Sequence, residues 1–380
     1  MKKRYHIFPV LLSFIVMGFV DIIGVATGYI KRDFELTDFI VQFLPMSVLL
    51  WFFVLSVPVG IIQDRFGKRN MLNTGIIIQT AGLFLPFTNY SFGMMFASFI
   101  LLGIGNTIIQ VAANPLLQDV SPSEKLASNM SISQFIKAII SFLGPIIAAF
   151  FATSFNNWML VLFIYGITSI FSAIWLSATP IKESKPERNP ATFSSCFGLL
   201  RNRFIAFMAL AIFLIVGAEV AMNTNIANIL VARYDITLEK AVIGISVFYA
   251  GETISRLIGG VVLSWFSTNR FLLFIVLIAL LGILGVFLAP VSMVAFIAIF
   301  LTGLGMGSMF PVIFSLALNE MPDHANEISG LLIMAVSGGA VIPLLMGFVI
   351  TLFGSASGIL VLGICMLYIL SVYFFIRKRN

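Results

Sequence analysis

The sequence predicts an all-α membrane protein: twelve transmembrane helices in two pseudo-symmetric six-helix bundles. Three observations carry this. Hydrophobic residues make up 60% of the 380-residue chain and charged residues only 10%, and the mean hydropathy is strongly positive, which no soluble globular domain matches. The apolar residues fall into runs of about 20, the length a helix needs to cross hydrocarbon, and roughly twelve such runs fit the chain. A short glycine pattern then recurs in the second half, 200 residues after its first occurrence.

Spans are expected near 7–30, 39–62, 71–88, 92–117, 127–151, 157–178, 204–231, 241–266, 270–289, 291–317, 326–352 and 356–376. The first run reaches full span length through Gly24 and Gly28 and is followed directly by another, so no cleavable signal is expected. The polar stretch 179–203, "TPIKESKPERNPATFSSCFGLLRNR", follows the sixth span. It divides the chain into an N-terminal bundle (1–178), a linker (179–203) and a C-terminal bundle (204–380). Basic residues set the orientation. Lys2, Lys3 and Arg4, the turn with Arg65, Lys68 and Arg69, the linker with Lys182, Lys185, Arg188, Arg201 and Arg203, and the tail Arg377, Lys378 and Arg379 all fall on one side of alternating spans. That side is the cytoplasm, which places both termini there. The opposite side carries Lys31, Arg32, Arg233 and Lys240, each near acidic residues. The net charge of +6 is thus a topology signal and makes no case for nucleic-acid binding. The loop 318–326 has acidic residues and no Lys or Arg, but acids count little in this rule. Cys196 and Cys365 fall on the cytoplasmic side and in the last span, so no structural disulfide is expected.

The repeat lies in "LLGIGNTIIQVAANP" (101–115) and "LTGLGMGSMFPVIFS" (301–315), which share Gly103/Gly303 and Gly105/Gly305; each is followed by an acidic loop and a span containing Pro145 or Pro343. Paired halves are the architecture of carriers whose substrate site lies at the midplane between them.

"GIIQDRFGKR", residues 60–69, reads Gly, three residues, Asp-Arg, any residue, Gly and two basic residues. It resembles the loop between the second and third spans of the major facilitator superfamily, with Gly60, Asp64, Arg65, Gly67, Lys68 and Arg69 filling its positions. The resemblance implies the major facilitator fold and a gating role for this loop. The residues support that independently: Gly60 permits close helix approach, Asp64 suits a helix N-terminus and Arg65 a carboxylate. The alternative is that these charges only enforce topology. The matching place in the second half, "GGVVLSWFSTNR", keeps the glycines and lacks the Asp-Arg pair. "QVAANP" (110–115) and "VGAEV" (216–220), together with Asp21, resemble the fucose:proton symporter family, which includes bacterial glucose/galactose carriers. In that family an Asp of the first span and a Glu just before the Ala-Ala-Asn-Pro region are implicated in proton and sugar handling. Asp21 fits the first position. Gln110 occupies the second, which removes one titratable group and retains an amide for sugar hydroxyls, while Asn114-Pro115 opens backbone carbonyls in the helix.

Asp21 lies about mid-depth in a run with no other charge, where a charge costs at least about 2.5 kcal/mol, so it requires a partner or a proton. Glu219 lies at similar depth in the seventh span. Lys137, in "SQFIKAIISFLGP", is the buried cation of the N-terminal half and the natural partner of Asp21, or of Glu219 in the other half. These three are the expected ion-coupling residues. Glu252 and Arg256, four apart, are expected to pair with each other. Asn106 and Gln110 on the fourth span, Asn114 beyond them, Gln134 on the fifth, and Asn223 and Asn225 on the seventh, with Asn228 further out, are the expected substrate-binding amides, since each sugar hydroxyl must regain the hydrogen bonds it leaves in water. For any single Asn the competing role is interhelical packing. Phe43 and Phe310 are weaker candidates for an aromatic wall, and Trp51 in the second span and Tyr249 in the eighth are better candidates for stacking.

No metal-ligand cluster, nucleophile motif or nucleotide-binding segment stands in the sequence, and His6 and His324 lie near cytoplasmic ends, so no enzymatic activity and no cofactor are expected. The expectation is a monomeric multi-pass carrier of the bacterial inner membrane, embedded in the lipid bilayer, that takes up a sugar with a proton or sodium. The alternatives are an exporter, or an anion or organic-acid carrier in which Lys137 binds the substrate.

Overall fold

The computed structural model describes residues 6–36, 40, 43–184, 191–236 and 238–379. Lys2, Lys3, Arg4, Lys185 and Arg188 lie outside the described residues, as does the side chain of Asn228. In lipid every backbone N–H and C=O must find its partner within the chain, and a helix does this within one segment. Among the described residues there is accordingly helix and no strand.

The first span is built from α1 (Ile7–Gly18), a 3-10 turn (Phe19–Ile22) and α2 (Ile23–Asp33). Then come α3 (Phe43–Phe66), α4 (Lys68–Phe84), α5 (Phe92–Val120), α6 (Leu126–Phe155) and α7 (Leu160–Ala178). A short helix, α8 (Phe193–Gly198), lies in the linker and opens on a capping box between Thr192 and Ser195. The second half holds α9 (Arg203–Tyr234), α10 (Leu238–Val262), α11 (Thr268–Leu288), α12 (Ser292–Met306), α13 (Met309–Glu320), α14 (Ala325–Ala335), α15 (Gly338–Phe353) and α16 (Ser355–Arg379). Among the described residues, 11 helices or helix pairs are long and apolar enough to cross a membrane. The remaining expected span, the third, is the 17-residue α4, prolonged by a 3-10 turn over Leu85–Phe87. The tenth span is interrupted between α12 and α13, the eleventh between α14 and α15.

By contact the chain forms two units. The first comprises Met1–Ser123, Ile136–Leu199 and Met321–Met334; the second comprises Glu124–Phe135, Leu200–Glu320 and Ala335–Asn380. Within the first, α3 and α4 pack on α5, and α4 packs on α7. Within the second, α10 and α11 pack on α12, and α11 packs on α16. The second, third, fourth and sixth spans thus pair as the eighth, ninth, tenth and twelfth do. The repeated glycines explain why. A Cβ at Gly103 would lie 2.7 Å from Val48 Cα on α3, and one at Gly303 would overlap the Phe248 carbonyl on α10. Gly105 likewise meets the backbone of Gln79 on α4, and Gly305 that of Ala279 on α11. Each unit therefore uses the same two backbone-to-backbone crossings, which only a residue without a side chain permits.

At the far end of the first span, Asp33 accepts hydrogen bonds from the Tyr90 hydroxyl (2.7 Å) and Trp158 Nε1 (3.2 Å), tying three segments of the first unit together. Burial, followed by the bond to Asp33, pushes the Tyr90 phenol above its usual range, so it remains a donor at any physiological pH. Cys196 and Cys365 are both buried thiols.

Candidate functional site

The first span stops being an α-helix at Gly18, and side chains from two other helices hold the interruption. Gln79 Nε2 on α4 donates to the Val16 carbonyl (2.6 Å), and Asn106 Nδ2 on α5 donates to the Met17 carbonyl (2.8 Å). Both amides are fully buried. They satisfy carbonyls at a helix end that has no water to turn to. The 3-10 turn that follows carries Asp21, and its side chain is 37% accessible. Ser141 Oγ on α6 donates to Asp21 Oδ2 and lies 3.0 Å from the Lys137 carbonyl. Lys137 Nζ stands 3.9 Å from the same carboxylate oxygen. The ring of Tyr165 on α7 stacks on Phe19 at 3.9 Å between centroids, beside this group. Of the two partners open to Lys137, the structure pairs it with Asp21.

The amides expected to bind substrate divide by what they touch. Asn106 donates to Met17 and to Gln79 Oε1 (3.4 Å) and accepts from Gln110 Nε2 (2.8 Å), so its polar atoms are spent on helix packing. Gln110 is half-buried. Asn114 Nδ2 donates to the Gln110 carbonyl (2.8 Å), while its Oδ1 is buried and unbonded. Pro115, lacking an N–H, leaves the Val111 carbonyl without its helical donor. Ser329 Oγ, from the 321–334 segment of the same unit, fills that place at 2.8 Å. Gln134 is half-buried on α6, three residues before Lys137.

In the second unit Glu219, Asn223 and Asn225 follow one another along α9. Asn223 Nδ2 donates to the Tyr249 hydroxyl on α10 (2.5 Å), and Asn225 Nδ2 to the Ala221 carbonyl (2.8 Å). Tyr249 is 44% exposed, so amide and ring present a joint polar-aromatic surface. Arg256 pairs with Glu252 at 3.4 Å as expected, and its Nε also reaches the Gly307 carbonyl (3.2 Å) at the break in the tenth span.

The 60–69 segment, which runs from the end of α3 through Gly67 into the start of α4, is a hub within the first unit. A Cβ at Gly60 would fall 2.7 Å from the Asn326 carbonyl, so α3 and α14 touch backbone to backbone there. Asp64 accepts from Asn326 Nδ2 (2.5 Å), in the first turn of α14, and from the Ala191 N–H of the linker (3.0 Å). Arg65 is exposed. Gly67 has φ 85°, left-handed backbone that a side chain resists, and as the residue before α4 it cannot cap that helix itself. The linker supplies the cap: the Glu183 carboxylate accepts from the Lys68 N–H (2.5 Å) and the Arg69 N–H (3.2 Å). Lys68 Nζ makes a buried ion pair with Asp119 on α5 (2.8 Å), and Arg69 donates to the Thr179 carbonyl (2.7 Å). A second linker contact joins Ser195 Oγ to the fully buried Glu327 (2.8 Å), whose other oxygen lies 2.9 Å from His324 Nδ1.

Sequence reasoning passed over Ser141, Gln79, Asp119 and Glu183. Ser141 had a usable signal, since it stands one helical turn after Lys137 and on the same face.

A bundle of membrane-crossing helices with interrupted spans and a compensated carboxylate at one interruption is the build of a membrane carrier. The Major Facilitator Superfamily profile matches residues 10–342, and the chain belongs to that superfamily. It is therefore a membrane transporter and not an enzyme. A glucose/galactose transporter of Brucella abortus is 26% identical over 381 residues, covering 94% of this chain and 90% of that protein. A probable nitrate transporter of Staphylococcus epidermidis is 23% identical over 363 residues, covering 94% and 92%. The crystal structure of the Escherichia coli fucose:proton symporter superposes with a TM-score of 0.85 at 19% identity, over 98% of this chain and 99% of that one.

Proposed function

We propose that the chain imports a sugar together with a cation by alternating access, as a monomer in the bacterial cytoplasmic membrane with both termini inside, and that residues 179–203 are the linker that divides its two six-helix halves along the chain. The observation that carries this is Asp21: a carboxylate in mid-span, set on a helix interruption, partly open to solvent, held by Ser141 and compensated by Lys137. A group so placed can exchange its counter-charge for an incoming cation, and lipid makes a purely structural one expensive. The sugar rests on the glucose/galactose transporters among the relatives and on the amides and aromatic surface of α9 and α10. The proton is favoured over sodium as the coupling ion because the symporter that shares this fold couples to it. Labelled glucose, galactose and fucose should accumulate in proteoliposomes when a proton gradient is imposed and leak out when it is collapsed. If no sugar accumulates under either a proton or a sodium gradient, the reading fails.

Two further outcomes are expected. Asp64→Asn or Arg65→Ala should slow turnover several-fold while substrate affinity stays within about twofold, because the contacts of Asp64 are with the linker and α14 and bias one conformation. A large affinity loss at unchanged turnover would argue against a gating role. Lys137→Ala leaves a proton as the remaining counter-charge for Asp21, so the pH profile of uptake should move upward, and the double variant Lys137→Ala/Asp21→Asn should lose that shift. A wild-type profile in Lys137→Ala would remove Lys137 from the coupling scheme.

A further inference from the structure

The coupling reading leaves Lys137 half explained. Its Nζ is 3.9 Å from Asp21, a distance for charge compensation and too long for a hydrogen bond. Among the described residues nothing accepts a hydrogen bond from this ammonium. Its three N–H donors are thus open to water or to an incoming ligand, on a side chain 23% accessible. The ligand that suits a compact, accessible ammonium is an oxyanion, which can displace water from it. Asp21, by contrast, already has Ser141 on the oxygen that faces Lys137.

We propose that the natural substrate carries one carboxylate, as a hexuronate or similar sugar acid does, and that this carboxylate takes the Lys137 ammonium from Asp21 while Asp21 takes a proton from the outer solution. This rests on the sugar-import reading above and narrows its substrate class. The charges balance in both states. In the empty carrier the ammonium offsets the Asp21 carboxylate; in the loaded carrier it offsets the substrate, and Asp21 is neutral. Substrate without a proton would put two carboxylates on one ammonium, and a proton without substrate would strand the ammonium. Either imbalance would carry a net charge through the membrane during translocation, which hydrocarbon penalises, so the two travel together. Ser141 is placed to serve both states. Its hydroxyl donates to Asp21 when the carboxylate is charged; when Asp21 is protonated, the hydroxyl accepts from it and turns its own hydrogen to the Lys137 carbonyl 3.0 Å away. The titratable groups beside Asp21 among the described residues are Lys137 on α6 and Tyr165 on α7, whose ring stacks on Phe19 of the same 3-10 turn. Helices α4 and α5 present Gln79 and Asn106 there, which do not titrate, and α3 carries its charges, Asp64 and Arg65, at its end.

The test uses the full chain in proteoliposomes with a pH dye in the lumen. D-glucuronate and D-galacturonate are compared with D-glucose and D-galactose as substrates and as competitors. Expected are uronate uptake at least about tenfold faster than hexose uptake at equal low concentration, one proton entering per uronate, and no response to a clamped membrane potential. Lys137→Arg should keep uronate uptake within about threefold, and Lys137→Gln, confirmed monodisperse, should lose it by about tenfold or more. If hexoses enter while uronates neither enter nor compete, sugar import stands and the acid inference falls. If neither class moves, both fall. Uronate uptake that Lys137→Gln leaves intact, or that follows the membrane potential, also overturns the exchange of partners. The competition experiment on the wild-type chain decides the substrate class even if no Lys137 variant folds.

Discussion

Asp21→Asn is expected to abolish accumulation of substrate against its gradient and to leave exchange of internal for external substrate measurable. The amide keeps the size of the carboxyl and can still accept from Ser141, but it cannot alternate between a charged and a proton-loaded form. It also leaves Lys137 without its counter-charge. Losing one partner of a sealed ion pair costs about 3–5 kcal/mol. Here the side chains are 23% and 37% accessible, so solvent screens much of that and the variant should fold. The accumulation ratio should fall to about one while counterflow persists, because the conformational cycle of a loaded carrier does not itself require the proton to be released. Full accumulation by the variant would remove Asp21 from the coupling role.

Gly303→Val should prevent recovery of folded protein, and Gly103→Val should do nearly the same. At Gly303 the added Cβ overlaps the carbonyl of Phe248, and at Gly103 it meets Val48 Cα at 2.7 Å. The obstacle in each case is backbone, which cannot swing aside as a side chain can. Forcing atoms into a packed crossing costs about 1–3 kcal/mol or more, a large share of a typical stability of about 5–15 kcal/mol. Gly93→Val is the matched control, since nothing lies within 4 Å of its Cβ position. Monodispersity on size exclusion and the thermal midpoint in detergent are the readouts. A Gly303→Val protein as stable as Gly93→Val would show that the close crossing does not hold the second unit together.

What could be read from the sequence was whatever lipid makes exceptional. Asp21 and Lys137 stood out because each is alone among apolar residues, and the glycines because they repeat; the structure pairs the first two and gives the repeats equivalent crossings. What could not be read depends on the third dimension or on the backbone. Asn106 has the composition of a sugar ligand, but the span it faces is interrupted at Gly18, and its amide goes to the Met17 carbonyl exposed there. No residue type announces such an interruption in advance. Lys68 looked like a loop charge, and its burial with Asp119 depends on α4 and α5 packing along their length. The linker looked like a tether because its bonds, from the Ala191 N–H to Asp64 and from the Lys68 and Arg69 N–H groups to Glu183, use backbone donors, which every residue has. Ser141 was hidden by being ordinary: serines inside membrane helices often do no more than bond their own helix, as Ser13 and Ser169 do here.

The first unit includes residues 321–334, which a ribosome reaches only after all the rest of that unit has been made. Until then Asp64 lacks the Asn326 amide, the carbonyl freed by Pro115 lacks Ser329, and Ser195 lacks Glu327. The early spans therefore enter the membrane carrying polar groups whose partners have not been translated. Water or other temporary partners must cover them during synthesis, and the unit that emerges first is closed only after most of the second has been made.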